Sequence, residues 1–175
     1  IILTLAWTIS GVCRDLLSTG EYVGELVKTS NMPITLIPAI IFVVAAILSF
    51  SMGTSWGTFG ILIPIVVGTF SGINHTMMII SISACMAGAV CGDHCSPISD
   101  TTIMASAGAQ CNHMNHVSTQ LPYVMVVAVI SCMTYILAGF IQSPVIPLII
   151  GIVLMIGTLI GIKYITSINS KKKEM

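Results

Sequence analysis

Long apolar runs separated by short polar breaks are the main pattern of this chain. The last two runs, 121–141 and 145–165, each have about 20 residues, the length of a helix that crosses a bilayer. Residues 1–12 are also apolar and predict the end of another spanning helix. The charged stretch 14–31 predicts an exposed or interfacial connector. The pattern therefore predicts an all-α membrane protein.

Two further apolar regions are interrupted. In 34–70 the segment SMGTSWGT separates two arms, and the second arm, of about 12 residues, is too short to cross a bilayer comfortably. This predicts a re-entrant helical hairpin, with one broken crossing helix as the alternative. In 76–109 one helix is expected to end at Gly92 and a shorter one to begin at Thr101. Because Pro97 has no N–H and disfavours helix at the residue before it, residues 93–100 are expected to leave the helical hydrogen-bond pattern.

Composition agrees with a bilayer as the expected partner, since 55% of the residues are hydrophobic and only 7% are charged. The net charge is zero and the basic residues cluster only at 171–173, so nucleic-acid binding is not expected. With Lys163, these lysines predict a cytoplasmic C-terminus in the cell membrane. The sequence opens at Ile1 inside an apolar run, which predicts a fragment that lacks its N-terminal part.

The two interruptions together predict an ion site. In transporters, unwound backbone and the ends of half-helices direct partial charges at one point near the middle of the membrane. Side-chain oxygens add hard ligands for a cation. The candidate hydroxyls are Thr54, Ser55, Thr58, Ser96, Ser99, Thr101 and Thr102, and the candidate carboxylates are Asp93 and Asp100.

A carboxylate at membrane depth also suits proton exchange. Burial favours its protonated form, whereas a bound cation favours its charged form, so one site can hold either Na+ or H+. The alternative is that Asp93 and Asp100 only cap the short helix or bond to backbone. Asp100, directly before Thr101, is the better candidate for a cap.

Other chemistry is less well supported. GTSWG around Ser55 matches the nucleophile elbow GxSxG, but that motif needs a preceding strand and a water-accessible triad, so an intramembrane serine hydrolase is a remote alternative. Residues 91–95 contain metal-ligand types that cannot easily surround one ion, so structural zinc is not expected. His94 is interpreted as a residue that tunes or shares a proton with Asp93, or as a hydrogen-bonding core histidine. No cofactor is expected.

The remaining thiols and histidines have simpler interpretations. The six cysteines lie mostly within or beside apolar segments, which predicts buried free thiols rather than disulfides. His113 and His116 fall in the polar stretch 110–120, which is interpreted as a cytoplasmic loop. Surface polar residues are the favoured interpretation of both histidines, with pH sensing as the alternative.

Three sequence blocks together resemble the NhaC-type Na+/H+ antiporter family, which includes malate/lactate-coupled relatives, within the broad ion transporter superfamily. The blocks are LAWTISGVC, GTSWGTFGILIPI and AGAVCGDHCSPISDTTIMASAGAQCNHMNHVSTQLPY. They cover most of residues 5–123, and the final two helices fit by hydropathy only. The resemblance implies a polytopic secondary transporter built from two inverted repeats, each with a re-entrant hairpin and an interrupted helix. This chain would be mainly the second repeat, and its partner would be the missing N-terminal half.

The matching motif positions are Thr54 and Ser55 at the hairpin tip and Asp93, Ser96, Ser99, Asp100 and Thr101 at the helix break. The resulting hypothesis is an antiporter, not an enzyme, that exchanges Na+ for H+ across the cytoplasmic membrane. The alternative is an exchanger of organic anions of the malate/lactate type, coupled to the same ions. A homo-oligomer is compatible with the sequence.

Overall fold

The computed structural model describes Thr8 and residues 33–70, 74–143 and 145–173, with side chains as far as Tyr164. These residues form helices and short turns, and no strand occurs among them. The prediction of an all-α membrane protein is confirmed. Apart from Thr8, the predicted helix end at 1–12 and the connector at 14–31 lie outside the described residues.

Six α-helices follow a short 3-10 turn at Ile34–Leu36 in the described part of the chain. They are α1 (Ile37–Met52), α2 (Ser55–Phe70), α3 (His75–Cys95), α4 (Asp100–Gly108), α5 (His113–Ile141) and α6 (Val145–Lys173). Four helical segments are long and apolar enough to cross a bilayer: Ile34–Met52, α3, α5 and the part of α6 up to Tyr164. The chain is therefore a multi-pass membrane protein.

α5 begins earlier than its hydropathy suggests. The apolar run starts at Leu121, but the helix starts at His113, inside the polar stretch that was interpreted as a loop. The side chain of Asn112 accepts a hydrogen bond from the N–H of Asn115, 3.2 Å away, and so caps the helix. A cap of this kind lets a helix begin well before the segment that is apolar enough for lipid.

α1 and α2 form a hairpin that packs on α3. Ile37 at the start of α1, Val66 and Phe70 near the end of α2, and Met77 at the start of α3 share one buried cluster. Because the first and last turns of the two arms meet there, the chain turns back on itself at Gly53–Thr54. The hairpin itself agrees with the expected pattern, but its second arm, α2, has 16 residues rather than the expected 12 or so, because it begins inside the segment SMGTSWGT. Its re-entrant placement in a bilayer stays a prediction.

Two glycines set the distance between α1 and α3. Gly88 and Gly92 lie four positions apart on one face of α3, directly against the backbone carbonyls of Phe42 and Ala46 on α1. A side chain at either glycine would collide with that backbone, and such small-residue stripes let helices approach closely. The two helices run parallel, so the break after α1, which follows Met52, and the break after α3, which follows Cys95, lie at the same end of the helix pair.

α5 closes the bundle on the other side of α3. The hydroxyl of Tyr135 lies 3.0 Å from the hydroxyl of Ser83 on α3, and its ring packs on Phe42 of α1 with a centroid distance of 5.6 Å. α6 packs on α5. In its most apolar stretch, between Val145 and Tyr164, only 6% of the residues are buried. An apolar helix that is exposed on nearly every face is suited to contact lipid or further transmembrane helices.

Candidate ion site

The second break is shorter than predicted. α3 continues to Cys95, so Asp93 and His94 are helical, and only Ser96–Ser99 leave the helix. The expectation that residues 93–100 leave the helix was therefore wrong for residues 93–95, and also for Asp100, which is the first residue of α4. Pro97 restricts its own backbone conformation and that of the preceding residue, Ser96, which is extended with ψ of 128°. The turn before Ser96 stays helical.

Asp93 is the buried carboxylate of this site. Its side chain is 2% exposed in the last turn of α3. Oδ1 accepts a hydrogen bond of 2.6 Å from the Ser99 hydroxyl, and Oδ2 accepts one of 3.1 Å from the Thr101 hydroxyl. The chain thus folds back at the break, so that the hydroxyls of Ser99 and Thr101, at the end of the break and after it, reach the carboxylate of Asp93, which precedes the break.

No lysine or arginine of the same segment neutralises Asp93, because the sequence has none between residues 33 and 162. The adjacent His94 bonds to the Val90 carbonyl instead. A buried carboxylate without a compensating charge is costly, and proteins relieve the cost with a proton, a metal ion or a partner. Two hydroxyl hydrogen bonds reduce this cost but do not remove the negative charge. The arrangement is therefore suited to hold a cation or a proton.

Two buried hydroxyls close to the breaks have no hydrogen-bond partner among the described residues. One belongs to Thr102, in the first turn of α4, and the other to Ser49, whose carbonyl accepts the N–H of Gly53. Thr102 is 2% exposed and Ser49 is fully buried. Buried hydroxyls are usually satisfied by protein, water or an ion, so both have free capacity for a ligand.

Ser99, and not Asp100, caps α4. The Ser99 hydroxyl oxygen accepts from the N–H of Thr102 at 3.3 Å while it donates to Asp93. Asp100 is exposed in the first helical turn, where its carboxylate accepts from the N–H of Thr101 at 2.7 Å. The expectation of an Asp100 cap was wrong because a serine at the preceding position already fills that role. Asp100 also makes no hydrogen bond to Asp93.

The first break directly contacts the second. Gly53 has the left-handed backbone conformation, with φ of 66°, that glycine adopts without strain. A Cβ atom at this position would lie 2.7 Å from the carbonyl oxygen of Ile98, which is in the second break. The two interruptions that were grouped from sequence are thus neighbours in the structure.

Replacement of Gly53 by alanine is expected to push the two breaks apart. The left-handed conformation costs a residue with a Cβ about 1–2 kcal/mol, and the contact with the Ile98 carbonyl adds to that cost. The melting temperature of Gly53→Ala in detergent should therefore fall. Gly157→Ala is the control, since nothing lies within 4 Å of that position. Equal behaviour of the two variants would contradict the contact.

The other predicted hydroxyls at the hairpin tip are placed beside this contact but are not joined to Asp93. Ser55 is buried at the start of α2 and Thr54 is partly buried. The Thr58 hydroxyl donates to the Thr54 carbonyl at 3.0 Å. Among the described residues no hydrogen bond joins Thr54 or Ser55 to Asp93. Ser55 also follows a helix, so the strand that a nucleophile elbow requires is not present there.

Ser96 and His94 face other groups. The Ser96 hydroxyl, fully buried, accepts from the N–H of Ile98 at 3.4 Å and so belongs to the internal bonding of the break. The His94 ring donates from Nδ1 to the Val90 carbonyl, one turn earlier in α3, at 2.8 Å. His94 makes no hydrogen bond to Asp93, so the tuning role stays a prediction.

His113 is a residue whose place sequence reasoning missed. Instead of lying in an exposed loop, it is partly buried at the start of α5, with Nε2 2.7 Å from the Pro97 carbonyl and Nδ1 3.1 Å from the Ser106 hydroxyl. The signal that was available is Asn112, a favoured helix-capping residue immediately before it. It marks a helix start, although not the contact with Pro97.

The described cysteines, Cys85, Cys91, Cys95, Cys111 and Cys132, are all free thiols. Only Cys85 is fully buried, and Cys111 is exposed. The predicted absence of disulfides therefore holds for these five, while the expected burial is wrong for most of them. In the same part of the chain no cluster of three or more His, Cys, Asp or Glu side chains is placed to hold a metal ion.

A bundle of apolar helices in which two breaks meet beside a buried carboxylate has the features of a secondary transporter. Residues 1–140 match the Na+/H+ antiporter family, and this chain belongs to that family. The resemblance seen in the motif blocks is thereby confirmed at the level of the family. The assignment to its NhaC-type members, and to the C-terminal portion of the protein, stays a prediction.

Three relatives show the range of proteins to which the chain is similar. An uncharacterized protein of Haemophilus influenzae is 50% identical over 142 residues, which are 81% of this chain and 27% of that protein. The arginine/ornithine antiporter ArcD of Halobacterium salinarum is 36% identical over 59% of this chain and 22% of its own length. The malate-2H+/Na+-lactate antiporter of Bacillus subtilis is 30% identical over 56% of this chain and 21% of its own length.

The chain thus spans about a quarter of the length of these relatives or less. No solved structure matches it significantly. The family and its named relatives indicate a transporter rather than an enzyme.

Proposed function

We propose that this chain is part of a secondary antiporter that exchanges Na+ for H+ across the cell membrane, with Asp93 as the group that holds either ion. The observation that carries the proposal is the buried Asp93 carboxylate, which is hydrogen-bonded to two hydroxyls in a segment, residues 33–162, that contains no lysine or arginine. The Na+/H+ antiporter family match supports the choice of ions.

The hydroxyls that contact Asp93 can serve both states of the site. A hydroxyl has one proton to donate and two lone pairs, so Ser99 and Thr101 can donate to an ionised Asp93 while their oxygens coordinate Na+. The unpartnered oxygen of Thr102 is a further candidate ligand. When a proton occupies Asp93, the negative charge that attracts Na+ is lost. Binding of one ion therefore excludes the other, which is the requirement for exchange.

The contact between Gly53 and Ile98 suggests how ion binding at Asp93 changes the position of other helices. Alternating access in transporters moves one group of helices against another around a fixed site formed by broken helices. In this chain the hairpin tip touches the break that carries the hydroxyl ligands. A change in the shape of that break on Na+ or H+ binding would therefore displace the hairpin.

The complete transporter is proposed to include segments beyond this chain, embedded in lipid. Thr54, Ser55, Ser96 and Asp100 remain proposed members of the ion pathway rather than direct partners of Asp93. The lysines at 171–173 support a cytoplasmic C-terminus. Na+ and H+ are the transported species and no cofactor is proposed; a homo-oligomer is compatible with the exposed apolar surface.

A second candidate function is exchange of a small organic solute coupled to these ions. A cavity of about 950 Å3 lies between α3 and α5 and is lined mainly by apolar side chains, with polar groups that include His94, Gln120 and Ser131. Pockets for small molecules have volumes of about 300–1,000 Å3, with a few polar groups that orient the ligand. The side-chain oxygen of Gln120 is buried and has no hydrogen-bond partner in the described part of the chain. The named arginine/ornithine and malate/lactate relatives support this alternative.

The deciding experiment uses the full-length protein in proteoliposomes that contain a pH-sensitive dye. We expect an imposed Na+ gradient alone to drive proton movement in the opposite direction. Proton movement that appears only when malate, lactate, arginine or ornithine is added would favour the organic exchanger. Absence of proton movement under every condition would overturn the Na+/H+ proposal.

The two hydroxyls on Asp93 should differ in importance. Ser99→Ala removes the shorter bond to the carboxylate and the cap of α4. Thr101→Val removes the longer bond to Asp93 together with a 3.4 Å bond to Asp100. A hydrogen bond to a charged group contributes about 1.5–3 kcal/mol, so Ser99→Ala should raise the apparent KM for Na+ by about tenfold or more. The effect of Thr101→Val should be smaller, and the reverse order would contradict the geometry.

A further inference from the structure

The His113 ring connects three elements at the second break. Pro97 belongs to the break, Ser106 to α4 and His113 to the first turn of α5. The ring contacts the Pro97 carbonyl through Nε2 and the Ser106 hydroxyl through Nδ1. Its neighbour one turn on, His116, has no ring hydrogen bond to a described residue. The two histidines of the polar stretch therefore have different environments.

The bond to Pro97 is short compared with three other bonds of the break. Ser96 N–H to the Asp93 carbonyl, Ser99 N–H to the Ser96 carbonyl and Ile98 N–H to the Ser96 hydroxyl measure 3.1, 3.3 and 3.4 Å. The distance from His113 Nε2 to the Pro97 oxygen is 2.7 Å. Hydrogen bonds weaken as they lengthen beyond the usual range, so these three bonds hold the break weakly. The short bonds of the break are those to its neighbours, between Ser99 and Asp93 on α3 at 2.6 Å and between Pro97 and His113 on α5.

The ring can keep both contacts in either protonation state. A carbonyl only accepts, so Nε2 must carry a proton. In the neutral ring, Nδ1 accepts from the Ser106 hydroxyl; in the charged ring, Nδ1 donates to the Ser106 oxygen. The Ser106 hydroxyl then turns to the Ile103 carbonyl, 2.9 Å away. The attachment to Pro97 is thus independent of the charge on the ring.

We propose that His113 is a positioning residue for the Asp93 site. It holds the Pro97 carbonyl, and with it the extended backbone of the break, in the shape that brings the Ser99 and Thr101 hydroxyls onto the carboxylate. His113 itself makes no hydrogen bond to Asp93 or to these hydroxyls. The part of the inference that concerns Na+ affinity rests on the proposed function, whereas the part that concerns the shape of the break does not.

The test measures Na+-dependent proton flux of the full-length protein in proteoliposomes for three variants of His113. Glutamine places an amide N–H near the position of Nε2, whereas asparagine places its amide near Nδ1. Loss of one hydrogen bond is worth about 0.5–1.5 kcal/mol, so His113→Ala and His113→Asn should raise the KM for Na+ by about three- to tenfold at unchanged Vmax. His113→Gln should restore most of the affinity. His116→Ala is the matched control and should behave as the wild type.

A purely structural role would lower Vmax through loss of folded protein and leave KM unchanged, and that result would overturn the inference. A KM for His113→Ala equal to that of His116→Ala would overturn it as well. If the wild type carries out no Na+-dependent flux, the proposed function fails. Amide hydrogen exchange then tests, without any transport measurement, whether His113 holds the shape of the break. The amides of residues 98–102 should exchange faster in His113→Ala than in wild type or His116→Ala. Equal exchange rates in the three proteins would refute the positioning role.

Discussion

Replacement of Asp93 by asparagine is expected to abolish Na+-dependent proton flux. The carboxylate is 2% exposed and residues 33–162 contain no lysine or arginine, so its negative charge is available to attract Na+ and to take up a proton. An amide has neither function at neutral pH, although its size allows the surrounding hydroxyls to remain in place. The measurement is the Na+-driven pH change in proteoliposomes that contain the full-length variant. Flux at the wild-type rate would exclude Asp93 as the exchange group.

Asp100→Asn is the internal control for this experiment. Asp100 is seven positions along the same motif, but it is exposed and makes no hydrogen bond to Asp93. Its charge contributes a favourable interaction with the N-terminal end of α4, worth about 0.3–1 kcal/mol. Asp100→Asn is therefore expected to reduce flux far less than Asp93→Asn. A larger loss in Asp100→Asn would show that the exposed carboxylate, on the far side of the break, is the main ion-binding group.

Replacement of Gly92 by leucine is expected to prevent the normal packing of α1 on α3. Gly92 lies against the Ala46 backbone, so even a Cβ atom has no room, and the rest of a leucine side chain must force the helices apart. Overpacking a close contact typically costs about 1–3 kcal/mol, and a collision with backbone belongs at or above the upper end of that range. The melting temperature and the monodisperse fraction in detergent should both fall.

The matched control is Gly157→Leu, in α6, where nothing lies within 4 Å and the position is exposed. Both substitutions add the same side chain to an apolar helix, so a difference between them reports on the contact with α1. Equal stability of the two variants would contradict the close approach of α1 and α3. Loss of flux in Gly92→Leu is also expected, because that contact brings the two breaks to one level.

The polarity pattern was sufficient to predict the helical class and the existence and approximate place of both interruptions, although both are shorter than predicted. Apolar length alone predicts spanning helices, and the absence of an N–H in Pro97 predicts a break beside it. The pattern was less accurate where neighbouring residues could each cap the same helix. Ser99, and not Asp100 as predicted, is the N-cap of α4, and Asn112 caps α5 at a start that lies inside a polar stretch. Both outcomes depend on which side chain points at a free N–H.

The sequence by itself determined local features. The length of the apolar runs determined the class of fold, and proline and glycine, which act on the backbone within about one helical turn, determined where the helices are interrupted. The candidate carboxylate followed because Asp93 lies beside one of these interruptions. Only the tertiary structure decided which groups meet. The contact of Gly53 with Ile98, the hydroxyls on Asp93 and the attachment of Pro97 to His113 all result from how the helices pack on α3 and fold back at the break. Contacts between residues far apart in the chain depend on this packing, and no spacing in the sequence encodes their geometry directly.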